Sequence, residues 1–309
     1  MKILVIGAGG TGGYFGGRLL AAGRDVTFLV RPKRARLLAE RGLRVRSPVG
    51  NLDLPAPPTV TADALDRTFD LILLSCKSYD LDSAMEAFAP AVGPDTRILP
   101  LLNGMRHLDV LRERFGDAAV LGGLCLISAA LDADGRIQHF APVHTMVFGE
   151  LDAANAPSTA AVLHVLADAG FDARLSDDIR QDMWEKWVLI ASVAGITCLM
   201  RASVGDIIAA GAGDLSLKLL EECIAIAGHC GHVPSEAAAA RVRKMLSDAD
   251  SMLMASMLRD VETGSRTEGD HILGDLLRRG GEAAYPVLRA AHLHVRAYEA
   301  RRERVTKGK

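Results

Sequence analysis

Residues with chemistry to offer gather at two places in the chain. The first is a glycine loop, Gly7-Ala8-Gly9-Gly10-Thr11-Gly12, which directly follows the apolar run 3–6 and precedes a helical period at 16–22. In that strand-loop-helix context the first glycine permits a tight turn, the second lets backbone approach a pyrophosphate, and the third allows close helix-strand packing. The helix N-terminus adds N–H groups and the positive end of its dipole for phosphates. The predicted chemistry is dinucleotide binding.

The next strand ends Phe28-Leu29-Val30-Arg31-Pro32-Lys33-Arg34. Folds that prefer NAD place a carboxylate about 20 residues past the loop for the adenine-ribose 2'-hydroxyl; this stretch has three cations and no carboxylate. Arg31, with its planar fork, suits a 2'-phosphate and points to NADP(H). A solvated basic loop including Arg36 and Arg41 is the plainer alternative. Ligands collect outside the C-terminal ends of parallel strands, which singles out Lys77 after the run 70–76 and Asn103 after the run 98–102. Asn103-Gly104 is also an ordinary turn pair.

The second place is Trp184-Glu185-Lys186-Trp187, at the head of the most apolar helical period in the chain. The period sets Lys186, Ile190 and Ala194 on one stripe. A partly desolvated ammonium there would be a ready proton donor, although a lysine at a helix end also snorkels to solvent without any function. His229-Cys230-Gly231-His232 offers three metal-ligand types, but its spacing fits no standard zinc pattern and reads as a helix end. No metal is expected. Met245, Met252, Met254 and Met257 read as packing on one helix, and Cys76 as a buried, inert thiol.

The elements that must position these residues divide near residue 178. Before it, short apolar runs alternate with helical periods. The runs at 3–6, 25–30, 70–75, 97–102 and 120–128 predict parallel strands buried on both faces. An antiparallel strand is expected at 143–151, a helix at 158–169 and a last strand at 171–175. Segment 47–58, rich in Pro and Gly, reads as turns. After it, helices are predicted at 179–199, 204–209, 215–228, 235–260, 267–279 and 285–299, followed by a frayed basic tail at 301–309. The expectation is an α/β fold: an N-terminal Rossmann-type doubly wound parallel sheet over 1–177, and a C-terminal all-α domain over 178–309.

Composition narrows the class. The chain has 309 residues, 49% of them hydrophobic, with 36 basic against 38 acidic side chains. Near-neutral charge offers no footprint for nucleic acid. The mean hydropathy is +0.17, and the apolar run 187–200 is shorter than the roughly 20 residues of a membrane span, so it reads as a buried helix. Only Lys2 precedes the first strand, so no secretory signal is expected. Five scattered cysteines without a CxxC pair disfavour a disulfide framework and fit a reducing cytoplasm. The alanine- and leucine-rich helical half offers a surface for a homodimer.

Taken together, these motifs resemble the ketopantoate reductase (2-dehydropantoate 2-reductase) family across nearly the whole chain. The match comprises Gly7 to Gly12, Arg31, Lys77 in Cys-Lys-Ser-Tyr, Leu-Asn103-Gly-Met, Trp184-Glu-Lys186, Ser256-Met-Leu-Arg-Asp260 and Arg266-Thr-Glu268-Gly-Asp270. The resemblance implies NADPH-dependent reduction of a 2-keto acid, ketopantoate to pantoate, in pantothenate synthesis. It implies that Lys186 protonates the carbonyl oxygen, that Glu268 sets the charge and position of that lysine, and that Ser256 holds substrate polar groups. Asn103 and Lys77 would line the cofactor and substrate sites, with Gly7, Gly9, Gly10, Thr11, Gly12 and Arg31 on the cofactor.

The chain also departs from the pattern. The family commonly has asparagines where Ile190, Ala194 and Val204 stand, and a site without those amides leaves a substrate hydroxyl unpaired at a cost of about 1 to 3 kcal/mol each. A more apolar 2-oxo acid is therefore the rival substrate. A catalytically idle NADP-binding sensor and a hydroxy-acid dehydrogenase of another two-domain family are the other readings.

Overall fold

The computed structural model describes residues 1–152 and 157–307. The chain divides into two compact units, Met1–Leu102 with His107–Arg180, and Asn103–Arg106 with Gln181–Lys309.

The first unit runs β1 (Lys2–Ile6), α1 (Gly10–Ala21), β2 (Asp25–Leu29), α2 (Pro32–Arg41), β3 (Leu43–Arg46), β4 (Leu52–Leu54), β5 (Thr59–Val60), β6 (Phe69–Leu74), α3 (Leu81–Phe88), β7 (Val92–Pro100), α4 (Arg106–Phe115), β8 (Leu121–Leu131), β9 (Ile137–Glu150), α5 (Pro157–Leu166) and β10 (Asp172–Leu175). Strands β5-β2-β1-β6-β7 form one sheet in that order, with parallel pairing throughout. Ile3, Leu4, Val5, Leu71, Ile72 and Leu73 are wholly buried, as strands covered on both faces require.

A second sheet, β10-β9-β3-β4 with β8 also against β9, departs from the expected pattern. Strand β8, expected as a parallel strand, pairs antiparallel with β9 from Leu121↔Glu150 to Leu131↔Ile137, and only the residue before it joins the ladder of the first sheet among the described residues, through the isolated parallel bridge Ile98↔Val120. The reason is the short link between them. Asp132 Oδ1 accepts the N–H groups of Asp134 and Arg136, and Gly135 takes φ +75°, closing a turn that only an antiparallel pair can use. Segment 47–58, expected as turns, includes β4, which pairs with β3 as Leu43↔Leu54 and Val45↔Leu52.

The second unit is helical: α6 (Ile179–Met200), which opens at its boundary, α7 (Val204–Ala209), α8 (Gly213–His229), α9 (Glu236–Leu246), α10 (Ser256–Glu262), a π-helical turn (Asp270–Gly274), α11 (Asp275–Arg279) and α12 (Pro286–Lys307). Helix α6 is long and apolar enough to cross a membrane, yet 67% of its apolar window is buried within the fold, with Trp187, Ala191, Ile196 and Cys198 inaccessible.

The expected single helix over 235–260 is two helices. Residues 247–255 form a loop in which Asp248 and Ser251 side chains accept the N–H groups of Asp250 and Leu253. The loop then docks on α7, Val204 N–H donating to Leu253 O and Gly205 N–H to Ser251 O. Met252 and Met254 therefore lie in a loop, Met252 exposed. The basic tail is not frayed through its described part. Helix α12 continues to Lys307, supported by the Glu299–Arg302 pair at 2.9 Å; residues 308–309 lie outside the described residues.

Candidate functional site

In the first unit, β1 delivers the chain to Gly7, whose φ of +88° is open to glycine and strained for other residues. Its N–H donates to Leu29 O at 2.9 Å, and α1 begins as Gly13 N–H meets Gly9 O at 2.9 Å. The glycines then differ in what surrounds them. A Cβ on Gly7 or Gly9 would meet nothing within 4 Å, whereas one on Gly10 would lie 2.6 Å from Ala129 O and one on Gly12 2.6 Å from Gly7 O, as well as against Ser75 Oγ. Gly10 and Gly12 are thus fixed by packing, and Gly9 leaves open backbone at the head of a helix. No acidic side chain sits in the first turn of α1. An anion approaching that end meets backbone donors and no repulsion, so the loop fits the pyrophosphate of a dinucleotide.

The three cations after β2 separate into two roles. Arg34 is turned inward, Nε and Nη2 donating to Ala8 O at 3.1 and 2.8 Å and Nη1 to Gly135 O at 3.0 Å. Burial pushes its pKa down from the usual arginine value, and it braces the glycine loop from behind. Arg31 and Lys33 remain exposed. Arg31 pairs with Asp80 at 2.9 Å, a carboxylate that sequence reasoning missed because it arrives from the turn after β6. Lys77, exposed, precedes that turn. Since Ile6 lies opposite both Leu29 and Leu74, Gly7, Arg31 and Lys77 share one edge of the sheet. Cys76, beyond the end of β6, is half-buried rather than buried.

In the second unit, Lys186 is half-buried on the second turn of α6, with Ile190 half-buried and Ala194 buried further along its stripe. The indole of Trp187 donates to Ile272 O at 2.9 Å, tying that turn of α6 to segment 267–272. Glu268 is buried there, and its carbonyl accepts the N–H groups of His271 and Ile272. Thr267 N–H and Oγ1 both donate to Glu299 Oε1 on α12, at 2.6 and 2.8 Å. His271, unnoticed in the sequence, bonds Asn103 O through Nε2 at 2.7 Å; a carbonyl only accepts, so this nitrogen carries a hydrogen. Its ring also packs 3.2 Å from where a Cβ on Gly104 would stand. Asn103, Glu268 and the Lys186 turn are thus brought to one region of this unit. Val204 is buried at the start of α7. Ser256, exposed, opens α10, where the preceding Ala255 N–H meets Thr197 Oγ1 on α6 at 3.4 Å. Thr197 stands eleven residues beyond Lys186, about 16 Å along a helix axis, so Ser256 is anchored well along α6 from the lysine.

Elsewhere, His232 stacks on Trp184 with ring centroids 5.4 Å apart. Among the described residues, no three His, Cys, Asp or Glu side chains cluster so as to hold a metal ion. The thiols of Cys198 and Cys223 are pushed up to about 12, chiefly by burial.

Two family models cover this architecture: ketopantoate reductase PanE/ApbA matches residues 3–153, and its C-terminal counterpart matches 178–299. The chain belongs to the PanE/ApbA ketopantoate reductase family. This family member is 37% identical over 303 residues to an uncharacterized oxidoreductase, YkpB, of Bacillus subtilis, covering 97% of this chain and 99% of that one. It is 30% identical to a 2-dehydropantoate 2-reductase of Archaeoglobus fulgidus over 91% of each chain. The crystal structure of a 2-dehydropantoate 2-reductase from Geobacter metallireducens superposes with a TM-score of 0.88 at 26% identity, covering 96% of this chain and 99% of that one. Family membership makes the chain an oxidoreductase.

Proposed function

We propose that the chain is an NADPH-dependent reductase that converts a 2-keto acid to its 2-hydroxy acid, with 2-dehydropantoate as the substrate and pantoate as the product. The observation that carries this reading is the Trp187–Ile272 bond, which sets the turn bearing Lys186 against the segment bearing buried Glu268. When bound, the dinucleotide supplies the hydride. Hydride addition develops negative charge on the carbonyl oxygen, and a positioned ammonium stabilises that charge and gives up its proton. Lys186 has this role, with Glu268 keeping it charged and oriented. Asn103, its backbone held by His271, offers an amide to substrate and cofactor. Gly7, Gly9, Gly10, Thr11 and Gly12 hold the pyrophosphate, while Arg31 and Lys77 take the cofactor's outer charge.

One feature favours a second substrate. Ile190, Ala194 and Val204 place hydrocarbon along α6 and at the head of α7, Ala194 and Val204 being buried. A more apolar 2-oxo acid needs no amide partner at these points. The test is oxidation of NADPH by the purified protein with 2-dehydropantoate beside branched and aromatic 2-keto acids, repeated with Lys186→Ala. Loss of about 100- to 10,000-fold in kcat, with cofactor affinity retained, is the expected mark of a general acid. Turnover confined to the apolar acids would keep the mechanism and change the substrate. Undiminished turnover in Lys186→Ala would refute the mechanism.

A further inference from the structure

The rule that reads NADP from a missing carboxylate looks only at the end of β2. The structure brings a carboxylate there from another strand. Asp80, last residue of the turn after β6, places Oδ1 2.9 Å from Nη2 of Arg31. Asp80 also stands at the N-cap of α3, where an aspartate ordinarily accepts a helix N–H, yet it makes no such bond. Its carboxylate is directed at Arg31 instead. The arginine side chain is 73% exposed and the aspartate 34%, and an ion pair so exposed adds little to fold stability. Its charges are therefore available to a ligand. Strands β2 and β6 flank β1, so the pair spans the strand ends on either side of the one that feeds the glycine loop.

We propose that Asp80 sets the cofactor selectivity of this chain, its carboxylate accepting the hydrogen bond of an unphosphorylated adenine-ribose 2'-hydroxyl and opposing a 2'-phosphate at Arg31. The inference rests on the reading of the glycine loop and Arg31 as an NADP(H) site, and it narrows that reading: NADP(H) is preferred, and NAD(H) binds too. A 2'-phosphate must share the guanidinium with a like charge a few ångströms away, whereas a ribose hydroxyl gains a charged acceptor.

The test is equilibrium binding measured calorimetrically on the full chain with NADP+ and NAD+, for the unaltered protein, Asp80→Asn and Arg31→Ala. The fragments 2',5'-ADP and 5'-AMP isolate the ribose end. Asp80→Asn retains a competent N-cap residue and removes only the charge. It is expected to tighten NADP+ and 2',5'-ADP about fivefold, the scale of a near like-charge contact in water, while NAD+ weakens severalfold. Arg31→Ala is expected to weaken NADP+ and spare NAD+. An unchanged ratio of the two affinities in Asp80→Asn overturns the role of Asp80, with NADP+ binding intact. An unaltered protein that binds neither dinucleotide overturns the underlying site, and the inference with it.

Discussion

The first unit builds its candidate site from backbone, and the second builds its own from side chains. Gly7, Gly9, Gly10 and Gly12 act through the absence of a Cβ, and what each must avoid or admit is settled by atoms of the same unit: Ser75, Ala129 and Gly7 itself. Lys186, Glu268 and Asn103 instead depend on helices and loops to aim them, through single bonds such as Trp187 to Ile272 and His271 to Asn103. A backbone site fails when a methyl group is added. A side-chain site fails, or changes its substrate, when a functional group is exchanged.

The largest effect that would break this contrast comes from the glycines. Gly12→Ala forces a Cβ against Ser75 Oγ and to 2.6 Å from Gly7 O, while Ser75 is itself held by its bond to Ile6 O at 2.8 Å. Such overpacking costs about 1 to 3 kcal/mol, so thermal unfolding followed by circular dichroism should move clearly downward and NADP+ binding should be lost. Gly9→Ala meets no atom within 4 Å. It should melt with the unaltered protein yet bind NADP+ far more weakly. Equal melting of both variants would show that the third glycine is not a packing glycine.

The same contrast explains how much could be read from the chain alone. Strands β1, β2, β6 and β7 of the first sheet and the glycine loop were legible, because uninterrupted apolar runs and glycine spacing record local backbone demands, whereas the two-residue β5 left no such run. Strands β3 and β4 were not, since three- and four-residue strands such as Leu52–Leu54 carry too little pattern and gain their pairing from a sheet assembled elsewhere. In the second unit, the place of Lys186 at the head of an apolar helix could be read from the period, while the roles proposed for it and for Glu268 came from the resemblance. The break at 247–255 was hidden because Asp248 and Ser251 interrupt a helical period with side-chain bonds that leave no periodic mark. Asp80 and His271 were missed for a related reason. Each acts on a residue far away in the chain, Arg31 and Asn103, and no spacing rule links them.

A middle-sized effect tests whether side chains decide the substrate. Ile190 is half-buried, so Ile190→Asn should leave the fold near its original stability and offer an amide one turn from Lys186. The ratio of kcat/KM for 2-dehydropantoate over a branched apolar 2-keto acid should rise about tenfold, the worth of one well-placed hydrogen bond to a substrate hydroxyl. Val204 is almost inaccessible, so Val204→Asn should instead lose about 1 to 3 kcal/mol of stability by burying an amide without assured partners. Identical substrate ratios in Ile190→Asn and the parent would remove Ile190 from the site.

The smallest effect sharpens the comparison through pH, because a histidine braces the side-chain site. Burial holds the His271 pKa below its usual 6.5, outweighing the upward pull of Glu268, the Asn103 carbonyl and Asp275, while Arg106 adds to the lowering. Below about pH 6.5 the unfolded chain binds a proton at this position that the folded chain resists. Stability contributed by the neutral ring is therefore fully present above that pH, and it declines as pH falls towards and through the lowered folded value. Both tryptophans, Trp184 and Trp187, lie on α6, so their fluorescence during urea unfolding reports on the second unit. His271→Gln keeps a donor and cannot titrate, and it should flatten the fall in stability between pH 8 and 5, by at most about 1.4 kcal/mol per pH unit. His294 is also lowered by burial, so a residual slope should persist. If the slope is unchanged in His271→Gln, the ring is not held neutral by its burial, and the Asn103 turn owes nothing to its charge state.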